Sequence, residues 1–314
     1  MTHLFLIIQF TFGVVLFLMG MVANGIIVIV SGAKCIKRKK RTAYDLLLTS
    51  LGIFRIPLQV LIFTSQLIFV FTLNIVPVME AFLFFIFVNE VNLWLATYLC
   101  LFYCVKIANI FHPFFLWLKM RISRLVPWLI LGSLLFSLAI SVYYSLLYWP
   151  MVKEEMGRYF SRNFTAPNFL HKLFPIPMIV MGLAVPLVIF NASSFLMIYS
   201  LCRHTRKMKS MATGRDSSTE AHIRAMKSVF SFLILYTSYY IGIIVIFSRT
   251  SSENEHLMFL CFLVAAEYPC GHSIILILGN PKLKHCARKF LFHAKCWLGG
   301  DSTGVYKPNR TCCF

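Results

Sequence analysis

The stretch Asn89-Glu-Val-Asn-Leu-Trp-Leu-Ala-Thr-Tyr-Leu-Cys-Leu-Phe-Tyr-Cys-Val-Lys106-Ile-Ala-Asn-Ile-Phe-His-Pro-Phe-Phe-Leu-Trp-Leu-Lys119-Met-Arg-Ile122 decides how the rest of the chain reads. Its first half is apolar, yet it holds two amides, a carboxylate and an indole. Its second half runs into Lys106, His112, Lys119, Arg121 and, just beyond, Arg124. Polar side chains deep in an apolar helix are expensive against lipid, so they line a bundle interior. Cations gathered at a helix end mark a cytoplasmic exit. The stretch therefore predicts one spanning helix, with a ligand-facing outer half and a contact-making inner end.

Composition agrees with a membrane chain. Mean hydropathy is +0.77, and 59% of residues are hydrophobic against 13% charged. That balance excludes an ordinary soluble domain. The net charge of +19 does not point to nucleic acid, because the cations sit between long apolar runs rather than on a basic domain. An anionic leaflet and a cytosolic partner suit that distribution. The ten cysteines show no paired CxxC motifs at zinc spacing, so neither a structural metal nor a disulfide scaffold is expected.

Working outward, residues 4–30 carry no charge and suffice for one helix across a core of about 30 Å. No basic segment precedes them, so they read as a retained span rather than a signal peptide. Six cations follow within Lys34 to Arg41. From Leu46 to Met79 the only charge is Arg55, and Asn74 and Pro77 mark a turn into the third span. Further apolar runs lie at Leu125–Trp149, Leu173–Cys202, Ser228–Ser248 and Leu257–Pro281, the last containing Glu267. The expected fold is an all-α membrane protein, a seven-transmembrane helix bundle over 1–284 with a cytoplasmic tail at 285–314. Loops on one side hold 24 Lys and Arg, and those on the other hold 5. That split puts the N-terminus outside and the C-terminus in the cytosol.

The topology sorts three N-x-S/T sequons. Asn163 falls in the outer loop and is a glycosylation candidate, whereas Asn191 lies in a span and Asn309 in the cytosol. Enzyme signatures such as HExxH, GxSxG or a Gly-rich phosphate loop do not occur, and no cofactor is expected. A secondary transporter would show matched broken helices in repeated halves; none is visible, although a transporter stays the alternative of a different class. An opsin-like protein would need a Schiff-base lysine, and residues 257–281 contain none.

Four segments, in order, carry a resemblance. They are Phe102-Tyr-Cys-Val-Lys106 with Phe115-Leu-Trp-Leu-Lys119; Leu196-Met-Ile-Tyr-Ser-Leu-Cys-Arg-His204; Ala221-His-Ile-Arg-Ala-Met-Lys227; and His272-Ser-Ile-Ile-Leu-Ile-Leu-Gly-Asn280-Pro-Lys-Leu-Lys284. Together they resemble the type 2 bitter taste receptors from about Gly20 to Lys284. Type 1 pheromone receptors, on the same architecture, fit less well. The resemblance implies a plasma-membrane G-protein-coupled receptor for bitter small molecules, without enzymatic activity, signalling through a gustducin-type heterotrimeric G protein. It also implies agonist contact at Ser65, Gln66, Phe85, Asn89, Asn92, Gly182, Tyr239 and Phe262, with Phe262 less suited to cationic agonists. Lys106, Lys119, His204 and Lys227 are expected on the G-protein side. One departure stands out: Phe54 precedes Arg55 where the family usually has Ser.

The residues also carry plainer readings. Phe85, Asn89 and Asn92 share one helix face, where the amides can equally tie neighbouring helices together. Trp94 is expected to pack rather than bind. Arg55 sits at mid-membrane, where an unpartnered charge costs roughly 2.5–3.5 kcal/mol or more. It is expected to have a structural or switching role, with Asn24 and Glu267 as partners.

Overall fold

In a computed structural model, which describes residues 2–37, 42–71, 76–108, 112–161, 176–211, 217–246 and 255–298, all of these but 42, 108, 112 and 280 are helical. The helices are α1 (Thr2–Lys37), α2 (Ala43–Phe71), α3 (Val76–Ile107), α4 (Pro113–Ser161), α5 (Ile176–Met211), α6 (Ser217–Ile246), α7 (Glu255–Gly279) and α8 (Pro281–Leu298). The first seven each contain a segment long and apolar enough to cross a membrane. They close into a ring in which α1 packs on α2 and α7, while α3 meets α2, α4 and α5. In the spanning windows of α3 and α7, 61% is buried inside the bundle, against 28% for α4, so α3 and α7 form its middle.

The opening stretch is not one helix. α3 stops at Ile107 and α4 begins at Pro113, so Trp117, Lys119 and Arg121 belong to α4. Pro113 has no N–H for a preceding carbonyl and disfavours helical geometry at His112, while its fixed φ suits a first helical position. His112 accordingly flanks α4 at its start, its carbonyl accepting from Leu116 N at 3.0 Å. At α2 a capping pair does the same work: Asp45 N donates to Thr42 Oγ1 at 3.2 Å, and that hydroxyl donates to the Asp45 carboxylate at 2.6 Å.

Two close approaches set how α1 lies on α2. A Cβ on Gly13 would stand 2.8 Å from Gln66 Oε1, and one on Gly20 would stand 1.7 Å from Gln59 Nε2. Two glycines one heptad apart thus receive two glutamines one heptad apart on the antiparallel neighbour. Gln59 is held there, its Oε1 accepting from Asn24 Nδ2 at 3.1 Å. Gly20→Ala is therefore expected to evict the Gln59 amide and cost about 1–3 kcal/mol. Gly25→Ala is the control, since a Cβ there meets nothing within 4 Å. Thermal unfolding of the detergent-solubilised protein should show a loss for Gly20→Ala and none for Gly25→Ala.

An eighth helix, not expected from the spanning pattern, follows α7 directly. Asn280 caps it, Oδ1 accepting from Lys282 N at 3.0 Å and Leu283 N at 3.4 Å, with Pro281 at the first helical position.

Candidate functional site

The middle of the bundle holds a polar network around Arg55, which is fully buried on α2. Its Nη1 donates to Ser273 Oγ at 2.9 Å, and its Nη2 donates to His272 Nδ1, both on α7. The guanidinium carbon also lies 5.5 Å from the centre of the Tyr268 ring. Nδ1 accepts only when it carries no proton, so this contact fixes His272 as the Nε2–H tautomer. Ser273 Oγ then reaches Asn24 Oδ1 at 2.6 Å, and Asn24 reaches Gln59. Three helices are joined through one charge.

Of the two expected partners, Asn24 enters the network through Ser273, not by direct contact. Glu267 does not enter it: it is exposed on α7. Glu267 and His272 are five residues apart, which at 100° per residue places them about 140° apart around the helix. His272 and Ser273 supply what the carboxylate was expected to supply. They stand in the last of the four motif segments, where their chemistry was legible but their direction was not. The Phe54 backbone carbonyl accepts from Asn92 Nδ2 at 2.9 Å, a bond that does not depend on the side chain at position 54.

That bond supports the helix-tying reading of Asn92, although its buried Oδ1 has no partner. Asn92 is completely buried and also donates to Val88 O at 2.8 Å, so it ties α3 to α2. Asn89, one turn earlier, reaches a different helix: its Oδ1 accepts from the Tyr239 hydroxyl on α6. Tyr239 in turn packs on Tyr268 at 4.8 Å between ring centres. Tyr236 stacks on Phe190 of α5 at 4.1 Å and meets Tyr268 edge-on at 5.7 Å. The result is an aromatic wall from α5 through α6 to α7, with the Asn89 amide across from it. Phe85 and Phe262 are half-buried and pack against the main core.

Gln66 is 1% exposed, and both of its amide atoms lack a hydrogen-bond partner. Ser65 is half-buried and donates to its own helix, to Leu61 O at 2.9 Å. The surroundings of Gly182, within α5, and of His204, at the far end of α5, lie outside the described residues, as does Asn163. Glu90, which the sequence reading did not single out, is 4% exposed with Oε2 unpartnered. A carboxylate next to Asn89 inside an apolar run was the available signal. Trp94 packs as expected, 5.8 Å from Phe136 and 5.5 Å from Tyr98 by ring centres.

At the cation-rich end the side chains are open. Lys106 and Lys227 are exposed and Lys119 is half-buried. Arg121 covers the Trp117 ring at 5.3 Å. Inside this rim, Tyr103 donates to the Tyr44 hydroxyl at 2.9 Å, and Asn280 Nδ2 donates to the same oxygen at 3.3 Å. One tyrosine on α2 thus links the ends of α3 and α7. The sequence quoted Tyr103 and Asn280 within its motifs but offered no sign of Tyr44 between them.

The family sequence model described as Taste receptor protein (TAS2R) matches residues 1–295. Taste receptor type 2 member 1 of Pan paniscus is 46% identical over 293 residues, covering 93% of this chain and 98% of the relative. The Chlorocebus aethiops protein of the same name is 44% identical over 292 residues, with the same coverage. Taste receptor type 2 member 119 of Rattus norvegicus is 44% identical over 281 residues, 89% of this chain and 83% of that one.

Proposed function

This chain belongs to the taste receptor (TAS2R) family, and from that premise we propose a receptor for bitter small molecules that signals through a gustducin-type heterotrimeric G protein at the plasma membrane. The observation that carries the reading is the pairing of two unlike surfaces on one bundle. A buried aromatic wall faces Asn89 on one level, and an exposed basic rim surrounds the Tyr44–Tyr103–Asn280 junction on the other. The cation split between loops supports an extracellular N-terminus, which puts the basic rim in the cytosol.

Agonist enters among α2, α3, α5, α6 and α7, with Asn89, Tyr239, Phe85, Phe262, Gln66, Ser65 and Gly182 as its contacts. An agonist reaching Asn89 has to compete with the Tyr239 hydroxyl, so binding reorders an α3–α6 bond. Glu90 supplies an acidic group that Phe262 does not, which opens the pocket to basic agonists as well. Binding favours the active arrangement only by the difference in affinity between the two states. Pro186 and Pro269 lie inside α5 and α7, where helix bends can pass that difference to the rim. Lys106, Lys119, His204 and Lys227 then meet the G protein.

The test is a panel of bitter compounds applied to cells expressing the chain. Calcium release that requires the co-expressed G protein is expected; agonist-independent solute or ion flux instead would indicate a transporter. Orientation has its own check. Glycosidase treatment should shift the mobility of the wild type, and Asn163→Gln should remove that shift. A shift that survives in Asn163→Gln and vanishes in Asn309→Gln would invert the topology.

A further inference from the structure

We propose that Tyr44 is a latch: its hydroxyl, accepting from Tyr103 and Asn280 at once, holds the cation-rich ends of α2, α3 and α7 together in the non-signalling arrangement. The proposal rests on the receptor reading above. The same three helices are tied at two depths. At mid-membrane, Arg55 joins α2 to Ser273 and His272 of α7, and Asn92 of α3 donates to the Phe54 carbonyl. Arg55 and Asn92 are fully buried, so breaking those ties is costly. Tyr44 lies eleven residues from Arg55, about 16 Å along α2. There Tyr103 donates to the Tyr44 oxygen at 2.9 Å and Asn280 Nδ2 at 3.3 Å.

All three side chains of this second tie are half-buried, inside the exposed basic rim. Both bonds join neutral groups, and such a bond typically shifts an equilibrium by a factor of about 2 to 13. The tie at the helix ends is therefore the weaker of the two, and a partner docking on the rim meets it first. Pivoting a helix by about 10° at the mid-membrane ties moves its end by about 3 Å, enough to part both bonds. Bonds that reach across three helix ends favour only an arrangement in which those ends stay close, whereas a G protein engaging inside the rim needs them apart. Two substitutions isolate the latch. The Tyr44 ring packs edge-on to Tyr103 at 5.7 Å, so Tyr44→Phe removes both bonds and keeps that packing. Asn280 has two jobs, capping α8 through Oδ1 and reaching Tyr44 through Nδ2. Serine caps a helix about as well as asparagine but is too short to reach the tyrosine, so Asn280→Ser separates them.

Two measurements on the full-length protein test the latch. In nanodiscs, amide hydrogen exchange over 43–48, 100–107 and 276–279 should quicken at least about fivefold in Tyr44→Phe, and about twofold or more in Tyr103→Phe and Asn280→Ser. Exchange over 89–97 should not change. Adding Tyr103→Phe to Tyr44→Phe should do nothing further, since the two share one bond. In cells co-expressing the G protein, agonist-free signalling per surface receptor should rise by the same factors, and agonist potency with it. Gly20→Ala, which loosens α1 against α2, should lower stability without raising agonist-free signalling, so the rise is not what destabilisation alone produces. Unchanged exchange in Tyr44→Phe overturns the latch, whatever the receptor couples to. Faster exchange with agonist-free signalling unchanged overturns it as well, leaving the junction a structural tie only. A wild type that answers no agonist fails the receptor reading instead, and the exchange measurement still decides whether Tyr44 holds the three ends.

Discussion

Arg55→Ala is expected to remove surface expression or response for every agonist alike. The guanidinium is the shared donor for His272 and Ser273, and Ser273 is the link to Asn24. Removing it leaves the buried His272 and Ser273 acceptors without a donor, at about 1–3 kcal/mol for each unsatisfied group. Arg55→Lys should rescue poorly, since an ammonium offers a point charge where the planar fork spans two acceptors. His272→Ala should resemble Arg55→Ala, leaving the charge with one partner fewer. Glu267→Gln should be close to wild type, because that side chain is exposed and outside the network. Surface immunodetection together with dose–response curves for chemically unlike agonists reads all four variants. If Arg55→Ala alters potency for some agonists only, with expression and maximal response intact, the network is part of the ligand site and its structural role is wrong.

Asn89→Ala should weaken polar agonists by roughly 5- to 150-fold, the equivalent of about 1–3 kcal/mol for a hydrogen-bonding group lost in a dry site. Surface expression should stay near normal. Tyr239→Phe removes the other end of the bond that Asn89 makes within the protein, so the two substitutions share one interaction. Their effects are expected to fall short of adding in the double variant. Phe85→Ala should weaken bulky apolar agonists through lost contact area. Asn92→Ala separates the two amides: it loses its bonds to Phe54 and Val88, and so should lower expression more than potency. Unchanged potencies for all agonists across Asn89→Ala, Phe85→Ala and Tyr239→Phe would move the agonist site elsewhere, toward the 149–172 segment.

The seven spans were legible because crossing a membrane is a local property: about 20 apolar residues suffice, wherever they later pack. The demand of Arg55 for partners was legible for the same reason, since the cost of a mid-membrane charge does not depend on the neighbours' identity. Less local features were read wrongly or not at all. The run from Asn89 to Ile122 continued in hydropathy through His112-Pro113, and only its backbone chemistry broke it into α3 and α4. The eighth helix had its Asn280-Pro281 start in plain view, but it is too polar to register as a span.

What only the tertiary structure decided is which way each helix faces. A spanning helix is apolar toward lipid and largely apolar toward its neighbours, so its hydrophobic pattern gives weak information about rotation. Glu267 was therefore expected as a partner for Arg55, and only the turn of α7 placed it outside and His272 inside. The same holds for Asn89 and Asn92, one turn apart, of which one meets Tyr239 and the other the Phe54 carbonyl. Both choices rest on helix rotations fixed by packing between distant parts of the chain, where lipid and core ask for the same kind of side chain.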